Sequence, residues 1–148
     1  GLELMAVKLK TTLLNLQSKL QAGGRFASVS IGEPTDPPND RHAAIILDRY
    51  ENVSTTLTGT IERRRVIVRI YTRAFQEARA ETEFWLDDVA SEFMEDVWGE
   101  FDLGTIVRNV EPLESRVDFG YQQIAQTWYR IADIRLAMIV DDSATFTP

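Results

Sequence analysis

The sequence predicts an α+β fold: a mostly antiparallel sheet of about five to six strands with two helices packed on one face, in the order α-β-β-β-α-β-β-β. Two segments repeat apolar residues at helical spacing, which predicts amphipathic helices. Several others alternate apolar and polar residues at period two, which predicts half-buried strands. Two helices cannot cover both faces of so wide a sheet, so both are expected on one face and the other face needs its own explanation.

The first helix rests on Leu2, Met5, Leu9, Leu13, Leu16 and Leu20, and Gly23-Gly24 ends it because glycine accepts the left-handed conformation that stops a helix. FASVSI (26–31) is a short strand. IGEPTDPPNDRH (31–42) is a turn-dense loop with three prolines, closed by the chain's single histidine. AAIILDRYENV (43–53) is the second strand, with Ile45, Leu47 and Arg49 on one face and Ile46, Asp48 and Tyr50 on the other. The threonine-rich STTLTGT extends it into a hairpin with IERRRVIVRIYTR (61–73). In that third strand Val66, Val68, Ile70 and Thr72 face a core, while Arg63, Arg65, Ile67, Arg69, Tyr71 and Arg73 share the opposite face. The second helix spans about 77–98, with a stripe of Thr82, Leu86, Val89, Phe93 and Val97 and with Trp85, Ala90 and Met94 beside it. TIVRNVEPL is a short strand demoted at Pro112. FGYQQIAQTWYRIADIRLAMIV is a hairpin bent near Ala125-Gln126-Thr127, with Ile134, Leu136, Met138 and Val140 on one face. DDSATFTP (141–148) is expected to be a loose tail.

At 148 residues the chain is read as a single domain, 1–148, large enough to bury a core without a staple. It has no cysteine, which excludes disulfides and thiolate metal sites. No run approaches the ~18 apolar residues of a membrane span, and no secretory leader is expected. A net charge of −7 argues against a general nucleic-acid binder. The charge is uneven: five arginines against Glu62 between residues 61 and 73, and ten acids against Arg79 between residues 77 and 102.

Candidate chemistry is sparse. His42 has no serine or cysteine in a recognisable nucleophile setting, so it is read as a loop or capping histidine rather than a general base. Asp87-Asp88 and Asp141-Asp142 are adjacent pairs, and on a helix neighbours point about 100° apart, so such a pair cannot clamp one ion. The glycines lack the spacing and lysine of a phosphate cradle. Trp85, Trp98 and Trp128 are core candidates, with interface aromatics as the alternative. A magnesium nuclease using Asp48 with Glu62 and the strand arginines, and an adaptor binding a partner at a sheet edge, stand as minor readings.

The order of these segments resembles the tail-terminator (tail-completion) proteins of long-tailed bacteriophages: an N-terminal helix, FASVSIGEPTDPP, RVIVRIYTR running into QEARAETEFWLDDVASEFMEDV, and the closing FGYQQIAQTWYRIADIRLAMIVDD. The likeness is one of order and texture from about Val7 to Asp142, and neck or stopper proteins of the same particles share it. The resemblance implies a structural virion protein at the head–tail junction, assembled in the host cytoplasm. It forms a hexameric ring that caps the head-proximal end of the tail tube, stops its polymerisation and joins it to the head connector. The implied partners are further copies of the chain, the tail tube protein and a connector or stopper protein, with DNA passing through the lumen unbound and no membrane. It implies no enzyme activity, no cofactor and no metal.

Charge and composition, not the family, place the contacts. A ring needs a heterologous interface. Arg63, Arg65, Arg69 and Arg73, with Ile67 and Tyr71 as anchors, are expected to meet Glu81, Asp88, Glu92 and Glu95 of the next copy. Glu33, Pro34, Asp36, Pro37, Pro38, Asp40 and Arg41 are expected to form a stiff docking arm toward the tube or connector, because proline lowers the entropy lost on docking.

Overall fold

A computed structural model describes residues 9–38, 40–56, 59–75, 78–99 and 107–143. The elements are α1 (Lys10–Ala22), β1 (Ser28–Ile31), β2 (His42–Thr56), β3 (Gly59–Arg73), α2 (Arg79–Gly99), β4 (Val107–Val110), a 3-10 turn (Pro112–Glu114), β5 (Arg116–Ile124) and β6 (Thr127–Ser143). This is the expected α+β order. Leu2 and Met5 of the first apolar stripe lie outside the described residues, and so does the tail from 144. Residues 141–143, expected to be loose, are instead strand: they pair with Ile61, Thr60 and Gly59.

The six strands form one sheet in the order β1-β2-β3-β6, with β4 and β5 side by side along the far edge of β6. All pairings are antiparallel except β1 with β2, which run parallel with Ser28 opposite His42 and Ile31 opposite Ile45. A parallel pair needs a return crossover, and that is the task of the proline loop. Gly32 begins it at φ +92, a conformation that favours glycine, with its N–H donating to Ile45 O at 2.8 Å.

Between β4 and β5 the edge of β6 would be left without ladder partners at Ala137. The 3-10 segment fills the gap. Ala137 O accepts from Glu111 N–H (2.8 Å), and Ala137 N–H donates to Ser115 Oγ (3.1 Å), whose own hydroxyl donates to Glu111 O (2.7 Å).

Both helices pack on one face. Leu9, Leu16 and Leu20 meet Ala43, Ile45, Val66, Val68 and Ile70, while Leu86, Val89, Phe93 and Val97 complete the same core with Ile134, Leu136, Met138 and Val140. The period-two reading of β3 holds here: Val66, Val68 and Ile70 are fully buried under the helices. That of β2 holds only as far as Leu47. A bulge between Leu47 and Arg49 shifts the parity, so Tyr50 lies opposite Arg64 on the helix face and Arg49 lies opposite Arg65 on the second face. One extra residue turns the side chains after it over, until a second shift between Asn52 and Ser54 turns them back.

Candidate functional site

The second face carries the arginine row, and the chain's own carboxylates engage it. Arg63 Nε donates to Glu111 (2.7 Å). Arg65 donates to Glu51 through Nε and to Glu114 Oε2 through Nη2 (2.9 Å). Arg69 makes a two-pronged contact with Asp133 at 2.6 and 3.0 Å and also reaches Glu33 and Gln122, each at 3.0 Å. These bonds favour the charged guanidinium and raise the pKa of all three arginines, Asp133 acting most strongly on Arg69. Arg73 is half-buried opposite Tyr129 at the end of the row.

Within the subunit this row, expected to meet a neighbour's acids, is engaged by the chain's own carboxylates. Each expected partner role among Arg63, Arg65 and Arg69 is already filled inside the subunit. The two expected anchors are not available either: Tyr71 is 0% and Ile67 7% exposed. Tyr71 belongs to a second, smaller core with Ala44, Ile124, Tyr129 and Ile131. Sequence spacing placed these residues on one face correctly, but it could not register carboxylates that arrive from 14 to 64 positions away.

The proline loop is likewise tied to its own sheet. Glu33 accepts from Arg69, Pro38 O accepts from the Tyr129 hydroxyl, and Asp40 accepts from Thr72 Oγ1 at 3.4 Å. Arg41 O accepts from Ala27 N–H, and the Arg41 guanidinium lies 4.6 Å above the Trp85 ring. Thr35 and Asp36 are exposed; Pro34 and Pro37 are half-buried. These contacts tie the base of the loop to its own sheet, while Glu33, Thr35 and Asp36 stay exposed. The loop is a strap across the second core.

His42 is buried at the start of β2, between two serines of β1. Ser30 Oγ donates to Gly32 O (2.9 Å), so it accepts from Nε2–H at 2.8 Å, and Nδ1 then accepts from the Ser28 hydroxyl at 2.6 Å. A serine on one ring nitrogen has the outline of a nucleophile and base. The other nitrogen, however, faces Ser30 and not an orienting carboxylate. The ring locks the parallel pair. Ser28 and Ser30, two apart on one strand face, were the signal that sequence reading passed over.

Burial pushes the His42 imidazole below its ordinary value of 6.5. The native state thus stays neutral where the unfolded chain has taken up a proton, so this contribution to stability is complete above about pH 6.5 and is lost as pH falls below it. Urea melts at a series of pH values should show stability falling below that point, and a His42→Gln variant should show a shallower fall. Since His42 is the only histidine, parallel profiles would refute the assignment.

Asp48 and Glu62 do not converge. Asp48 reaches Arg135 (3.7 Å) on the second face, whereas Glu62 pairs with Arg64 (2.8 Å) on the helix face. Among the described residues no cluster of three or more metal-ligating side chains occurs. The nuclease reading loses its two carboxylates.

What the fold leaves on its surface is different. On α2, Glu81, Asp88 and Glu95 are exposed, and Glu92 pairs with Arg25. The exposed large apolar side chains fall into two groups at opposite margins of the sheet. Leu14, Ile31, Leu47, Tyr50 and Val53 lie along α1, β1 and β2. Phe75, Phe84, Phe119, Tyr121 and Trp128 lie along the turn after β3, α2, β5 and β6. The second group is partly ordered: Phe75 stacks on Tyr121 at 6.5 Å, and Arg130, held by Glu83 at 2.8 Å, lies 4.7 Å over Tyr121. Phe75 keeps this position at φ +69, an unfavourable conformation for a bulky residue, although its side chain is 67% exposed. Of the three tryptophans, Trp85 packs edge-on against Phe26 and Trp128 is exposed, while the Trp98 side chain lies outside those described.

No family model matches the chain, and a search of curated proteins finds no match.

Proposed function

We propose that the protein is a structural, ring-forming virion subunit of the tail-terminator kind, closing the head-proximal end of a bacteriophage tail tube and joining it to the head connector. The α+β order supports this reading, since it is the fold that the resemblance implies. The observation that carries it is the division of exposed apolar side chains into two unlike groups at opposite margins of one sheet. Isolated exposed apolar residues are ordinary, but aromatic and aliphatic groups gathered at margins mark protein contacts. Two unlike patches on opposite sides make a head-to-tail contact, and such contacts close into rings when the rotation permits. A net charge of −7 suits a collar through which DNA passes without being held.

Purified protein is expected to sediment at about six times its 16.8 kDa mass and to give closed rings with a central opening in negative-stain images. Added to a polymerising tail tube protein, the rings are expected to sit at one tube end and shorten the tubes. A 16.8 kDa monomer at every concentration, with no tube-end binding, would overturn the reading.

A further inference from the structure

Both margins lie on the helix-bearing face. Leu47 and Tyr50 sit opposite Val66 and Arg64, Phe119 and Tyr121 sit opposite Ala132 and Arg130, and Val66 itself faces Leu136 across β3 and β6. Each margin has a groove where a helix meets an edge strand. One is lined by Leu13, Leu14, Ile31, Leu47 and Tyr50 and bordered by Lys10. The other is lined by Ala90, Met94, Val117 and Phe119 and bordered by Asp87.

The flanking helices differ in sign. α1 carries Lys10 and Lys19 and no acid, whereas α2 carries seven acids against Arg79. The strands also match in direction. β1 covers β2 only at residues 42–45, so from Leu47 onward β2 has no second neighbour among the described residues; β5 is paired on one side only. Stepping from β2 through β3 and β6 to β5 crosses three antiparallel pairings, so β2 and β5 run in opposite directions. Phe119 is level with Ala43 through Ala132 and Ile70, four residues along β2 from Leu47, so copies related by rotation about an axis tilted to the strands, which staggers neighbouring edges, would bring these edges together antiparallel, with helix face beside helix face.

We propose that a second copy of this chain occupies the α1–β2 margin, and that it does so through its α2–β5 margin. Phe119 and Tyr121 of one copy enter the groove of Leu14, Ile31, Leu47 and Tyr50 on the next, with the acidic helix beside the basic one. The inference rests on the reading of the protein as a ring subunit and names the joint that makes the ring. It takes over the role first assigned to the arginine row. Like charges on either helix would repel at the wrong pairing of margins, and unlike charges steer the right one.

The test uses two variants of the full chain, Leu47→Asp and Phe119→Asp. Both sites are about half exposed, at 53% and 48%. Thermal melts within a few degrees of the parent check that each folds. Each variant alone is expected to be monomeric, raising the concentration for half assembly by about tenfold or more. Mixed in equal amounts they are expected to form a one-to-one dimer and nothing larger, because each supplies one intact margin. A charge swap gives an independent check that leaves the apolar groups untouched: Lys10→Glu alone weakens assembly, and Lys10→Glu with Asp87→Lys restores it. If the parent assembles and the single variants still form rings, or each variant dimerises with itself, the joint is wrong and the ring reading stands. If the parent itself never assembles, the ring reading fails and the joint falls with it.

Discussion

Replacing Arg69 with alanine is expected to lower folding stability by about 3 kcal/mol, the low end of what breaking a buried ion pair costs. Asp133 is 6% exposed at the centre of the sheet, and Arg69 is its two-pronged partner. Without Arg69 the carboxylate keeps, among the described residues, Arg135 at 3.7 Å, which is why the lower end of the range applies. For a chain of this size the change amounts to a fall in Tm of roughly 6–12 °C. The pair is not thereby a large net source of stability, because bringing both charges out of water offsets most of their attraction. Arg69→Met combined with Asp133→Leu should accordingly recover most of the loss in calorimetry. Arg116→Ala gives the contrast: its pair with Asp118 is largely solvent-exposed, and a change of under about 1 kcal/mol is expected. Equal losses for Arg69→Ala and Arg116→Ala would refute this account of the second face.

Leu86→Ala is expected to cost about 3 kcal/mol, within the range for removing a fully buried leucine. Leu86 is 0% exposed and belongs to the stripe that docks α2 on the sheet. The cost combines lost burial with a cavity that the surrounding strands cannot close. Leu47→Ala separates folding from assembly. Its side chain is over half exposed, so stability of the single chain should change by less than about 0.5 kcal/mol while the ring weakens. Denaturant melts and sedimentation of both variants give the comparison. A Leu86→Ala chain as stable as the parent would mean that α2 is not held as described.

Much of the fold was legible in the sequence because its strongest signals are periodic. The stripe Thr82, Leu86, Val89, Phe93 and Val97 and the parity of Val66, Val68 and Ile70 depend on local geometry alone. Gly23-Gly24 marked the end of α1, where Gly23 N–H caps Lys19 O. The bulge at Asp48 was not legible, since no residue type announces it, and it moved Tyr50 to the helix face. The parallel pairing of β1 was hidden by its four-residue length. The arginine row lies on the strand face that its spacing implies, and its partners within the subunit were not legible. Arginine and carboxylate look equally ready for a neighbour in a sequence; only the folded register shows that Glu51, Glu111, Glu114 and Asp133 reach the row first. The exposed aromatics escaped notice because Phe75, Phe119 and Tyr121 come from two distant segments and gather only in three dimensions.

The strand in the middle of the sheet, β6, is also the last of the six to leave the ribosome. Until it does, the hairpin of β2 and β3 waits with one whole edge of β3 open, a template for any passing extended chain. Arg63, Arg64, Arg65, Arg69 and Arg73 crowd that strand, and closely spaced positive charges discourage two such edges from annealing. Arg63 and Arg69 gain their carboxylate partners only when Glu111 and Asp133 arrive, so until then their charge adds to the repulsion that keeps the open edge from annealing.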